Sequence, residues 1–204
     1  MATTTYLDIE LKPAPLQSKK PLVITEETIR WGDKSINCKD ITAVKYGSMR
    51  LGTMGIQTNQ NYSFKFLDKD ANVFPIYFSS VSLAAPNEKL EDAFSNIEEA
   101  VGYAVTDRIL KEWIQTLNSG ASVNVGDISI MPSGIKIKIS KLFSSRYADI
   151  GWNDVYTEIS NGYLYIKSRL NKKDECSLNF QNDWNAITLH YFLKWKLREI
   201  TGNE

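Results

Sequence analysis

A helical segment between two strand-like halves constrains the fold of this chain more than any other feature. From about Asn87 to Asn118, apolar residues recur at helical spacing. Before Gly102 the apolar face consists of Leu90, Ala93, Phe94, Ile97, Ala100 and Val101. After Gly102 it consists of Tyr103, Val105, Ile109, Leu110, Trp113, Ile114 and Leu117. At about 100° per residue, the centre of the second face is rotated by roughly 140° from the first. Such a helix is expected to serve two hydrophobic cores.

Length and charge agree with two small domains in one chain. The 204 residues are enough for two domains of about 100 residues, each with its own core. Basic and acidic residues number 24 each, so the formal net charge is zero. A general nucleic-acid binder usually carries a basic excess, and no nucleic-acid partner is expected.

The cysteines and the hydropathy predict a soluble cytoplasmic protein. Cys38 and Cys176 are the only two cysteines, and both lie in strand-like sequence. They are too few for a disulfide framework or a paired-cysteine metal site, which favours two buried thiols in a reducing compartment. The chain has no secretory signal and no run of about 18 apolar residues that could cross a bilayer.

The first half has the pattern of β-strands separated by turns. Residues 7–11 alternate apolar and polar side chains before a proline-rich break, which leaves two interpretations open, a flexible arm or a docked strand. Residues 22–46 and 62–78 predict strands, with tight turns at Glu26-Glu27 and at 68–72. The stretch from Gly47 to Asn61 is rich in Gly, Asn and Gln and predicts a long projecting loop.

That loop is the first candidate interaction site. Long connections in compact domains are often functional, so Arg50, Leu51 and Met54 are predicted to contact a partner. A loop without any role is the equally weighted alternative.

The second half repeats the plan of the first. Strand patterns at 128–130 and 135–139 flank a turn at 131–134, and a helix is predicted from Asp183, as N-cap, to Thr201. The segment Ile150–Val155 parallels Ile36–Ile41, with Asp154 matching Asp40. Strands first and one amphipathic helix last, twice over, indicate an internal repeat of about 100 residues.

A local motif in the second half resembles a known superfold. The residues are Ile150-x-Trp152-x-Asp154-Val155, followed by Asn161-Gly162-Tyr163-Leu164-Tyr165-Ile166. Together with the repeat they resemble the bacterial PH-like and GRAM-like versions of the pleckstrin-homology superfold over residues 22–204. The first half has Cys38 in the place of the Trp. The resemblance implies an α+β, mainly β fold of two antiparallel barrels or sandwiches, each closed by a C-terminal helix.

The expected domains follow from this resemblance. Residues 1–15 form an N-terminal arm, residues 16–118 form the first PH-like domain with the long bridging helix, and residues 119–204 form the second. Members of the superfold commonly bind peptides beside an exposed sheet edge and the C-terminal helix, which implies a non-enzymatic module that binds a protein or peptide. The expected setting is a cytoplasmic assembly or regulatory pathway.

Weak binding to acidic membranes is the alternative function. Lys136, Lys138, Lys141 and Arg146 surround Leu142 and Phe143 in the second half. The resemblance implies that specific recognition of phosphoinositides would use a Lys/Arg cluster around the first hairpin turn. That turn is Glu26-Glu27 in the first half and Pro132-Ser133-Gly134 in the second, and an anionic headgroup needs several converging cations. The alternation of Lys136 and Lys138 with isoleucines favours a solvated strand face over a lipid site.

No residue pattern indicates an enzyme, a metal site or a cofactor. His190 is the single histidine and has no nucleophile or ligand set near it in sequence. An aromatic set could suggest a platform for stacking bases, namely Tyr163, Tyr165, Trp152, Trp184 and Trp195. Core packing is the favoured interpretation, because these residues are assigned to the inward phase of strands and helix.

Overall fold

The computed structural model describes residues 3–53, 56–81, 87–141 and 144–202. Within these ranges, the side chains of residues 50–53, 56–59, 81 and 141 lie outside the description. The chain divides into two compact units between Ile109 and Leu110. The expected limits of the domains, at residues 15, 118 and 204, remain a prediction.

The first unit contains two antiparallel sheets. The four-stranded sheet has the order β1 (Thr5–Leu11), β2 (Lys20–Thr25), β3 (Thr28–Trp31) and β4 (Lys34–Asn37). The three-stranded sheet consists of β5 (Ile41–Thr53), β6 (Ile56–Asp68) and β7 (Val73–Val81). The docked-strand interpretation of the N-terminus is confirmed, because β1 pairs with β2 from Thr5↔Thr25 to Leu11↔Lys20.

The second unit has the same plan with shorter strands. Its four-stranded sheet consists of β8 (Val123–Val125), β9 (Ile128–Met131), β10 (Gly134–Lys141) and β11 (Ser144–Gly151). Its three-stranded sheet consists of β12 (Val155–Ser160), β13 (Tyr163–Ser168) and β14 (Glu175–Asn179). The protein is therefore α+β and mainly β, with four antiparallel sheets among the described residues.

The corner between the two sheets is built in the same way in both units. A 3-10 turn leads from one sheet to the next, at Cys38–Asp40 and at Trp152–Asp154. The Asp40 carbonyl accepts a hydrogen bond from the Lys69 N–H at 2.9 Å, and the Asp154 carbonyl accepts one from the Arg169 N–H at 2.7 Å. The predicted match between Asp40 and Asp154 is confirmed by this shared bond.

The first residue of each corner is tied to a hairpin turn of its own unit. The Cys38 Sγ donates to the Thr25 carbonyl at 3.6 Å, beside the turn between β2 and β3. The Trp152 Nε1–H donates to the Pro132 carbonyl at 2.9 Å, in the turn between β9 and β10. Cys38 thus occupies the place that the resemblance assigns to a Trp, and a weaker donor makes the corresponding contact.

The long helical segment contains the feature that makes its apolar face switch sides. It consists of α1 (Glu88–Val101), a π-helical turn (Gly102–Thr106) and α2 (Asp107–Asn118). The Asp107 N–H donates to the Gly102 carbonyl five residues back, instead of four. One extra residue in a turn rotates every later side chain, which explains the change of phase in the sequence.

The two parts of this segment contribute to different cores. Phe94 packs on three rings of β5 and β6 at centroid distances of 6.2, 5.5 and 5.0 Å, those of Tyr46, Tyr62 and Phe64. The Arg108 guanidinium still donates to backbone carbonyls of the first unit, those of Cys38 and Ile41. Trp113 contacts Phe192 at 6.2 Å within the second unit. The helical segment was predicted to leave the first core for the second near Gly102, and in the structure this change occurs after Arg108.

Two details of the predicted helices were wrong. Tyr103 was assigned to the apolar face, but its side chain is 55% exposed and its hydroxyl donates to Glu99. The last helix, α3 (Ala186–Thr201), begins three residues after the predicted N-cap Asp183. The Asp183 carboxylate instead accepts a hydrogen bond from the Asn179 N–H at 2.7 Å, because a tight turn separates β14 from the helix.

Candidate functional site

The predicted partner-binding loop is a paired hairpin in the structure. β5 and β6 pair along the described part of the polar stretch, with Arg50 opposite Gln60 and Leu51 opposite Asn59, and the register shifts once, between Leu51 and Gly52. The prediction of an irregular loop was wrong because cross-strand backbone pairing overrides the weak strand preference of Gly and Asn. Met54 lies outside the described residues. The role of these residues in partner binding stays a prediction.

The four cations of the lipid alternative lie on β10 and β11, and three of them are paired with acids. Lys136 lies 3.5 Å from an Asp149 carboxylate oxygen, and Lys138 lies 3.4 Å from one of Asp127. Arg146 forms an ion pair with Asp174. The side chain of Lys141 lies outside the described residues. This pairing reduces the attraction that an acidic membrane would exert.

The free edge of β14 is the first element of a candidate site. β14 pairs with β13 on one side, and no described strand pairs with its other side. Half of the backbone groups of an edge strand point away from its neighbour and are available to another chain. β14 therefore offers a short edge to which an extended segment can be added.

A second strand edge faces the same region. β9 pairs with β10 only from Gly134 to Ile137, and the Lys138 N–H then donates to the Asp127 carbonyl at 3.2 Å. Beyond Lys138, β10 continues to Lys141 with β11 as its only described neighbour. Two strand edges from different sheets thus border one space.

That space is a cleft of about 640 Å³, large enough for several side chains of a ligand. Its floor is apolar and buried, formed by Ile128, Ile139 and Leu178 with the half-buried Cys176. Its rim is polar, formed by Asp127, Lys138, Ser140, Glu175, Ser177 and Asp183, with Tyr165 and Gly126 completing the lining. An apolar floor with a polar rim is the usual build of a binding cleft.

β14 presents opposite faces to the floor and to solvent. Cys176 and Leu178 contribute to the floor, whereas Glu175 and Ser177 are exposed. A segment added beside β14 would alternate its side chains in the same way, because the side-chain period of a strand is two. The cleft would receive every second side chain.

The rim carries excess negative charge. Asp127 and Lys138 balance each other as an ion pair. No ion pair balances Glu175 or Asp183 among the described side chains. Burial raises the pKa of the Cys176 thiol to about 12, and the neighbouring Glu175 carboxylate adds to that increase. The cleft thus has an apolar floor beside two carboxylates that form no ion pair, although Lys167 lies opposite Glu175 across β13 and β14 and attracts it.

The titratable groups of the second unit include one histidine. Among the described residues, no three His, Cys, Asp or Glu side chains group as metal ligands. His190 packs against the rings of Phe180 and Tyr191, and burial lowers the pKa of its imidazole. The imidazole is thus half-buried between two aromatic rings.

The aromatic residues of the second unit divide into buried and exposed sets. Trp152 is buried, as predicted, and Trp184 is half-buried. Tyr163 and Trp195 are 38% and 43% exposed, so their assignment to the inward phase was wrong. In β13 the buried positions belong to Leu164 and Ile166. Side chains of β13 alternate between buried and more exposed positions with the expected period of two. The aromatic residues, however, take the more exposed positions, although aromatic rings are often buried.

Sequence reasoning did not find the cleft. The only local signal is the alternation in β14, where Cys176 and Leu178 alternate with Glu175 and Ser177. That alternation predicts a strand but not its position at the end of a sheet. The edge becomes visible only once β13, β14 and β10 are placed in space.

Two further findings bear on function. Among the described residues, no helix has the length and apolar content needed to cross a membrane. The chain matches no protein-family model and no curated protein.

Proposed function

We propose that the second unit binds an extended segment of a partner protein, which is added as a strand beside β14. One observation carries this proposal: the free edge of β14 borders a cleft whose floor is apolar. Strand addition obtains affinity from main-chain hydrogen bonds and specificity from pockets that receive alternate side chains. The edge of β14 supplies groups for the main-chain hydrogen bonds, and the cleft supplies a pocket for alternate side chains.

The dimensions set the length of the expected ligand. β14 has five residues, so the paired part of the ligand is about five residues long. A short paired segment with few buried side chains gives modest affinity, which suits reversible assembly.

The proposed role is that of a non-enzymatic binding module. Each unit has a four-stranded sheet, a three-stranded sheet and a helix after them, an arrangement that supports the PH-like interpretation without requiring a closed barrel. Peptide capture at a sheet edge is a mode in which this superfold is used. A cytoplasmic assembly or regulatory pathway is the proposed setting.

The test is an NMR titration of the full chain with an eight-residue peptide in which Val and Ser alternate, acetylated and amidated at its ends. We expect shifts at the backbone amides of Glu175–Asn179 and of residues 138–140. The amides of β7 in the first unit serve as the internal control, because β7 is the corresponding strand of the repeat. Their signals should not move.

A second peptide carries N-methyl groups on alternate backbone nitrogens and otherwise has the same side chains. It cannot form the ladder along one edge, so its affinity should fall by at least tenfold. Ser140→Trp adds bulk at the mouth of the cleft and should also weaken binding. Ser145→Trp is the matched control, since Ser145 pairs with Ser140 across β10 and β11 but does not line the cleft. Equal binding of both peptides, or shifts located elsewhere, would overturn the proposal.

A further inference from the structure

We infer that the partner segment is basic and alternates in character, with Lys or Arg at its solvent-facing positions and apolar side chains at the positions that face the cleft. This inference rests on the proposed function and specifies the chemistry of its ligand. The two faces of β14 and the charges around the cleft favour such a segment.

The outward face of β14 selects charge. Glu175 and Ser177 are exposed on this face, and directly opposed side chains in neighbouring antiparallel strands lie close enough to interact. A cation on the added strand would lie opposite or diagonal to the Glu175 carboxylate. A carboxylate at the same position would be repelled.

The inward face selects apolar side chains. Ile128 is 2% exposed, and Ile139 and Leu178 are each 8% exposed beneath the cleft. Because these three side chains expose little surface, an aliphatic side chain placed over them buries mainly its own apolar surface, together with that of the half-buried Cys176. Lys or Glu at the same position would lose hydration without an ion-pair partner in the floor.

The other acids near the cleft already have cations of their own. Asp127 pairs with Lys138, Asp174 pairs with Arg146, and Glu158 pairs with Lys167. These pairs contribute no net charge. Glu175 and Asp183 form no ion pair and both line the cleft. Lys167 lies opposite Glu175 but is shared with Glu158, and the Asp183 carboxylate accepts one hydrogen bond from the Asn179 N–H, so both acids keep negative charge for a ligand.

The rings on the same sheet already bind cations from within the chain. The Lys167 Nζ lies 5.3 Å from the Tyr165 ring centroid and 5.9 Å from that of Tyr156. Tyr165 lines the cleft, and Tyr163 lies 6.2 Å from it on the outward face. Lys167 therefore occupies two of these rings, whereas the Tyr163 ring is 38% exposed and offers a face to a cation of the ligand.

The experiment compares three peptides of one length in which the residue alternating with Val is Lys, Ser or Glu. Isothermal titration calorimetry with the full chain should give an affinity about tenfold higher for the Lys peptide than for the Ser peptide at low salt, because two carboxylates each contribute modestly. The Glu peptide should bind more weakly than the Ser peptide. At 0.5 M NaCl the advantage of the Lys peptide should fall to about threefold or less, because salt screens exposed charges.

Glu175→Lys should abolish the preference for the Lys peptide. Its matched control is Asp33→Lys, which changes the net charge equally at an exposed turn of the first unit. The control should retain the full preference. Retained preference in Glu175→Lys, or its loss in Asp33→Lys, would overturn the inference.

The outcomes separate this inference from the proposed function. Equal affinity for the Lys, Ser and Glu peptides overturns the inference and leaves strand addition intact. If none of the three peptides binds, the proposed function fails as well.

Discussion

The two units have the same strand order, but they differ in the length of their first strand and in what lies beside the edge of their last strand. In the first unit, β1 is a seven-residue strand that pairs along β2. The hydroxyl of Ser79 on β7 donates to the Pro13 carbonyl at 3.4 Å, so the connection after β1 reaches the edge of the other sheet. In the second unit, the corresponding strand β8 has three residues, and β14 borders an open cleft.

The difference gives one unit with a long first strand and one unit with an open cleft, and the proposed function depends on the second. The first unit gains additional closure from β1, whose Tyr6 ring lies 5.7 Å from that of Tyr103 on the helical segment. The second unit lacks an equally long first strand and keeps an edge and apolar surface available. Binding sites of this kind require that some surface remains unsatisfied in the free protein.

Removal of β1 should have the largest effect. Deletion of residues 1–12 removes one buried and two half-buried aliphatic side chains of β1, those of Leu11, Leu7 and Ile9, and exposes the surface on which they pack. We expect the free energy of unfolding of the first unit to fall by about 4 kcal/mol. Hydrogen exchange of the β2–β7 amides measures this loss. Leu16→Ser is the control, since Leu16 is fully exposed and should contribute almost nothing. An unchanged rate of exchange in the deletion variant would show that β1 does not close the first unit.

A smaller effect is expected at the sheet corner, where the units use different donors. Trp152→Phe removes the hydrogen bond to the Pro132 carbonyl and replaces a buried indole with a smaller ring, so the second unit should lose about 2 kcal/mol in urea denaturation. Trp195→Phe alters an indole that is 43% exposed and should cost under about 0.5 kcal/mol. Equal losses in both variants would argue against a specific role of the Trp152 bond.

The reactivity of the two thiols offers a test that needs no substitution. Cys38 is buried in the first unit, and Cys176 lines the open cleft of the second unit. Burial raises the pKa of Cys38 to about 11 and that of Cys176 to about 12. Because only the thiolate reacts, alkylation of Cys176 by iodoacetamide at pH 8 should be about a thousandfold slower than that of a free thiol. With a pKa of about 12, the thiolate fraction of Cys176 increases about tenfold for each pH unit below that value. The rate of alkylation of Cys176 should therefore still increase between pH 8 and 10.

Accessibility should then distinguish the two cysteines. Cys176 lines the open cleft and should react in the native state, whereas Cys38 is 2% exposed and should react only through local opening. Mild urea should therefore accelerate the modification of Cys38 more than that of Cys176. The same acceleration for both would contradict an open cleft in the folded second unit.

Some features of the fold follow from local sequence. The turns at Gly32, Gly120 and Gly202 all have positive φ angles, which Gly adopts without a steric cost. The change of the apolar face near Gly102 reflects a π-helical turn, and it could be seen in the sequence because an inserted residue shifts the helical period. Such features depend on residues that are close together in the chain.

Other features could not be obtained in this way. The polar stretch from Gly47 to Asn61 resembles a loop in composition, yet pairing with β6 and β7 makes it part of a sheet. Tyr163 and Trp195 resemble core residues in type, yet the sheet and the helix turn them toward solvent. In each case a partner distant in sequence decided the outcome.

The sequence by itself determined that strands precede one helix in each half, several of the turns, the repeat and the two-sided helix. These depend on periodicity and on backbone preferences that act within a few residues. Only the tertiary structure decided which strand ends a sheet, which charges are paired and where a cleft opens. Those properties arise when Lys138, Glu175 and Leu178, which belong to strands that are not adjacent in the chain, are brought around one space by packing of the two sheets.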